Sequence, residues 1–115
     1  MDGLDEIAEG VQADFEARNK ARDAALARAR TLVRAASHAI RAVHRSETDA
    51  AREKLAEAGE LAASLTNDLA QYPDIYYAGY TQDALKEYAE AHLVFALVSG
   101  ARLPGPTDLK IPSHT

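Results

Sequence analysis

The sequence predicts an all-α protein of long antiparallel helices, and three observations carry that prediction. No proline interrupts residues 4–45, where Gly10 is the single interior glycine. Alanine, the strongest helix former, supplies 25 of the 115 residues. Larger apolar residues recur at steps of three and four, the period of one helix face, rather than at the alternation of a strand.

The first helix is expected over about 4–45. From Ala24 onward, Leu26, Ala29, Leu32, Val33, Ala36, Ile40 and Val43 cover an arc of about 120° on the helical wheel. A helix of that length is about 60 Å long, wider than a small domain, so it needs partners along its length. Ser46, followed three residues later by Asp49, reads as a weak capping box opening a second helix over about 48–70, with Leu55, Ala58, Ala62, Leu65 and Leu69 on its apolar side. Tyr72-Pro73-Asp74 breaks that helix, and Tyr76, Tyr77 and Gly79 form a compact aromatic connection in which at least two of Tyr76, Tyr77 and Tyr80 are expected to pack rather than stack on a ligand. Thr81 is then a suitable N-cap for a third helix over about 82–98. Ser99-Gly100 ends it, and Leu103-Pro104-Gly105-Pro106 forbids continuation, leaving 99–115 as an irregular tail. The whole of 1–115 reads as one helical domain whose bundle expects a further side.

Composition limits the chemistry. Twelve Leu, four Ile and five Val must supply most of the core, a thin provision for long helices, so burial against other subunits is expected. With no cysteine, a disulfide framework, a thiolate metal site and a cysteine nucleophile are excluded. The acidic MDGLDEIAEG start lacks the order of a secretory signal, and no apolar run approaches a membrane span, so a cytoplasmic protein with no membrane partner is expected.

A net charge of −5 conceals strong polarity along the chain. Residues 1–16 hold six acids and no base, whereas residues 24–45 hold five arginines and two histidines and no acid. Arg30, Arg34, His38, Arg41 and Arg45 fall within about 80° on the wheel, apart from the apolar arc. They climb the helix about 5–6 Å per step, a ladder suited to successive phosphates of a nucleic-acid strand. An ordinary solvated face interleaves Glu with Arg, and this stretch does not.

Asp83, Glu87 and Glu90 lie within about 60° of one another, and Val94 and Leu97 continue the same side. The acids are therefore expected to face the core, with Glu90 half-buried and in need of a partner, either a divalent cation such as Mg²⁺ or Mn²⁺ or an arginine of the first helix. The Glu-x-x-His spacing of a ferritin-like di-iron bundle is absent, as are a Gly-rich phosphate loop and a nucleophile triad.

Two blocks carry a family resemblance: RAASHAIRAVHR at 34–45, and YYAGY at 76–80 followed by QDALKEYAEA at 82–91. Together they resemble the N-terminal half of the translin family, in particular archaeal members similar to translin-associated factor X. The resemblance implies a translin-like helical bundle, a closed oligomer binding single-stranded RNA or DNA, and a basic first helix that guides the strand. It further implies that Glu87 and Glu90 hold Mg²⁺ or Mn²⁺ in a metal-dependent endoribonuclease. Family members are roughly twice as long, and their third acid, a C-terminal Asp, has no counterpart here; Asp108 lies too early. The expectation is thus a nucleic-acid-binding subunit of a homo-oligomer or of a complex with a complementary helical subunit, with cleavage only where a further acid comes from outside the chain. The competing expectation is a non-catalytic structural module in which the arginine stripe pairs with acids across a helical interface.

Overall fold

The computed structural model describes residues 2–100, which form four helices and no strand: α1 Asp2–His44, α2 Thr48–Asp68, α3 Pro73–Tyr76 and α4 Gly79–Ser99. The protein is all-α. The tail expected beyond Gly100 lies outside the described residues.

The first 43 helical residues are one continuous helix, as its lack of proline allows. It ends in a Schellman turn: Glu47 N–H donates to Ala42 O at 2.9 Å, Ser46 N–H donates to Val43 O at 3.0 Å, and Ser46 takes φ 60°. Ser46 is therefore the left-handed residue that closes α1, a correction to its expected role as the cap of α2. The residue preceding α2 is Glu47, whose side chain makes no capping bond.

A second correction falls at α4. Thr81 does not cap the helix but is its third residue, fully buried, with its hydroxyl donating to Ile75 O at 2.9 Å. The neighbouring Gln82 amide donates to Tyr76 O at 2.8 Å. Both bonds satisfy carbonyls at the end of α3, whose Pro73 occupies a first-turn position that needs no N–H donor. Helix α4 begins after an extended Ala78 and stops at Gly100 in the left-handed conformation (φ 75°).

The core runs along α1 in three stations. Ala25, Ala29, Leu32 and Ala35 pack with Ala58, Ala62, Leu65 and Leu69 of α2, with Ile75, and with Ala84, Leu85 and Tyr88 of α4. Ala36 and Ala39 then meet Leu55 and Ala91, and Ala42 and Val43 meet Ala51, Val94 and Phe95. Ascending α1 thus descends α2 and ascends α4, an up-down-up bundle. Twelve of the 20 buried hydrophobic residues are alanines, which leave room for helix backbones to approach. Burying a leucine such as Leu32, Leu65 or Leu85 contributes about 1.5–3 kcal/mol, against about 0.8 kcal/mol for a single carbon, so a few leucines carry most of the apolar stabilisation.

The bundle occupies only part of α1. Arg18 pairs with Asp74 at 2.5 Å and lies over the Tyr72 ring, 5.4 Å from its centroid, which fixes α3 against α1. Arg28 pairs with Asp68 at the end of α2. On the near side of Arg18, residues 3–17 of α1 are exposed throughout, and the molecule measures 68 × 23 × 18 Å. No helix among the described residues is long and apolar enough to cross a membrane.

Candidate nucleic-acid interface and acidic pair

The side of α1 that packs on α2 and α4 is set by Leu32, Ala36, Ala39 and Val43. Arg30, Arg34 and Arg41 project from the opposite side, Arg45 follows in the turn that closes the helix, and all four are exposed, with His38 half-buried in the same row. From Arg30 to Arg45 the row is about 22 Å long at helical rise. Among the described residues, no carboxylate pairs with any of the four arginines. Arg18 and Arg28, which do have carboxylate partners, lie nearer the packed side. Arg18 and Arg28 thus tie α1 to the rest of the bundle, whereas the arginines of the outer row meet solvent.

Glu87 and Glu90 occupy adjacent turns of α4 and are both half-buried, with Asp83 exposed beside them. Their direction differs from the sequence expectation. The buried side of α4 consists of Thr81, Ala84, Leu85, Tyr88, Ala91 and Ala96, whereas Asp83, Glu87, Glu90 and Leu97 point the other way, with Leu97 68% exposed, and Val94 lies between, partly buried against Ala42, Val43 and Ala51. Two apolar surfaces compete on this helix, and the alanine side wins because it matches the alanines of α1. Gly59 opens the same seam for Tyr88: a Cβ there would stand 3.2 Å from the Tyr88 hydroxyl.

Among the described residues neither Glu87 nor Glu90 has an ion-pair or hydrogen-bond partner, and α1 supplies no arginine to either. Nor is there a group of three or more His, Asp or Glu side chains among the described residues that could hold a metal ion. Two carboxylates alone are a partial donor set. They suit Mg²⁺, which keeps several waters and takes further oxygens from a bound phosphate, better than a cation needing a full protein cage. The pair stands level with Arg34 and His38, because Leu32 and Ala35 pack at the station of Leu85 and Tyr88, but it faces outward from a different helix.

The aromatic connection divides as its packing requires. Tyr76 and Tyr80 pack against the main core cluster, while Tyr77 is 54% exposed and meets Tyr76 edge to face at 4.9 Å. Burial, and then the neighbouring Tyr77, push the Tyr76 hydroxyl pKa up. Two residues gain importance from the structure alone. Arg18 joins a segment 56 residues away, which no local pattern announces. His92 is half-buried against Tyr88, with ring centroids 4.8 Å apart.

Comparison of the chain with models of protein families, with curated proteins and with solved structures finds no match.

Proposed function

We propose that this chain is a translin-like subunit that binds single-stranded nucleic acid, RNA or DNA, along the outer row of α1. The observation that carries the reading is Arg30, Arg34, Arg41 and Arg45, exposed in one row and without carboxylate partners among the described residues. A guanidinium binds phosphate oxygens through paired N–H donors, and a row about 22 Å long spans several phosphates of an extended strand. In this reading the guanidiniums bind phosphates, so the strand is recognised through its backbone rather than its bases. The two sequence blocks that resemble the translin family give the reading its second support.

In this proposal Glu87 and Glu90 hold Mg²⁺ or Mn²⁺ together with a phosphate of the strand. When bound, the ion would polarise the phosphoryl oxygen and lower the pKa of a coordinated water. The two carboxylates supply the anchoring charge; a third acid must come from outside the chain, and cleavage depends on it. Binding does not. Under the competing reading of a non-catalytic interaction module, the row pairs with acids of another subunit and leaves nucleic acid unbound.

Anisotropy of a labelled single-stranded oligonucleotide separates these readings. Arg34→Ala combined with Arg41→Ala should weaken binding about tenfold or more, roughly 0.7 kcal/mol for each guanidinium removed from a phosphate. Equal affinity of the variant and the parent chain would contradict the proposal. For catalysis, Glu87→Gln with Glu90→Gln should abolish Mg²⁺-dependent cleavage while leaving binding within about threefold, a difference under about 0.7 kcal/mol. Cleavage that survives the double substitution would remove the pair from the site.

A further inference from the structure

Residues 3–17 of α1 carry an apolar stripe that nothing in the described bundle covers. Leu4, Ile7, Val11 and Phe15 are 62%, 64%, 64% and 61% exposed. With Arg18 they fall within about 80° on the helical wheel, on the side that further along α1 packs against α2 and α4 through Ala25, Ala29, Leu32 and Ala36. The stripe is the core face of α1 continued past the end of the bundle. Most of the acids of this segment, among them Asp5, Glu6 and Glu9, lie on the opposite side, the arrangement of a helix with one face to bury.

We infer that this projecting third of α1 is a self-association surface, occupied by the same segment of a second copy lying antiparallel to it. Two features select that occupant and that orientation. The steps along Leu4, Ile7, Val11, Phe15 and Arg18 are three, four, four and three residues, an order that reads the same in both directions. A two-fold axis at Val11 therefore sets Val11 against its own counterpart, Ile7 against Phe15, and Leu4 against the methylene stem of Arg18, whose guanidinium Asp74 and Tyr72 already hold. Charge gives the same answer. The outer end carries Asp5, Glu6 and Glu9 with no base, and the end nearest the bundle mixes Arg18, Lys20 and Arg22 with Asp14, Glu16 and Asp23. Parallel pairing would set the two acid-only ends against each other, whereas antiparallel pairing sets each against the end that holds the bases. The surface lies at the other end of α1 from the arginine row, so it neither rests on the nucleic-acid reading nor competes with it.

The chain contains no cysteine, so single cysteines report the geometry directly. At tens of micromolar the unmodified chain should sediment as a dimer, and Val11→Asp should sediment as a monomer with an unchanged melting profile of the bundle. Under oxidation Val11→Cys should form a covalent dimer. Leu4→Cys should not, because the antiparallel register holds the two sulfurs about 21 Å apart, far beyond disulfide reach. Leu4→Cys with Arg18→Cys in one chain should cross-link again. A monomeric parent chain, as a different occupant of the stripe would produce, overturns the inference. So does a dimer that survives Val11→Asp, or a Leu4→Cys chain that cross-links as readily as Val11→Cys.

Discussion

His92 shows how a single residue can report on the packing of α4. Its Nε2 atom is buried with no hydrogen-bond partner among the described residues, and burial holds the imidazole pKa below its ordinary value of 6.5. The folded chain therefore resists a proton that the unfolded chain accepts. Stability should be full above pH 6.5 and should fall as the pH drops below 6.5 towards the lower folded pKa, because the unfolded state then binds more protons. Urea titrations at a series of pH values should reveal that loss, and His92→Phe should flatten it; an unchanged slope in the variant would mean that another group is responsible. Residue-scale roles are unevenly legible in the sequence. The arginine row is readable because its direction follows from the apolar side of the same helix. Thr81 misleads because a Thr before a helical run satisfies the N-cap rule, while its actual partner, Ile75 O, belongs to a four-residue helix that the pattern does not reveal.

At the scale of elements, periodicity identifies the three long helices, and side-chain size misleads about the orientation of one. Val94 and Leu97 suggest an inward side for α4 because they are large, yet Ala84, Tyr88 and Ala91 face α1, and of the two only Val94 is partly buried. The deciding quantity is complementarity with a partner helix: Ala36 and Ala39 accept Ala91, and Gly59 leaves space for the Tyr88 ring. Glu87 and Glu90 consequently flank the bundle rather than enter it. The junction between α1 and α2 offers a further test. Ser46 bears the steric cost of a left-handed φ of 60° that glycine adopts freely. Ser46→Gly should therefore stabilise the fold by up to about 1 kcal/mol, the left-handed penalty less the extra entropy glycine loses on folding. A lower denaturation midpoint for that variant would show that the Schellman turn does not control the junction.

At the scale of the whole molecule, α1 organises everything else. One end projects an apolar stripe, the middle supplies the alanine seam on which α2 and α4 pack, and the other end bears the arginine row on its outer side. The charge reversal along this helix is visible in the sequence; the distance by which α1 outruns its partners is not, because that depends on where α3 turns the chain back. Antiparallel pairing of the projecting ends would place an arginine row at each end of an elongated dimer, an arrangement suited to holding one long strand at two points. The central claim remains the row itself, and the salt dependence of single-stranded oligonucleotide binding tests it most directly. Four arginines on phosphates should give a slope of log K against log salt near about −3, at about −0.7 for each phosphate neutralised, falling to about −1.4 in Arg34→Ala with Arg41→Ala. A slope near zero in the parent chain, or one that the double substitution leaves unchanged, would contradict the account.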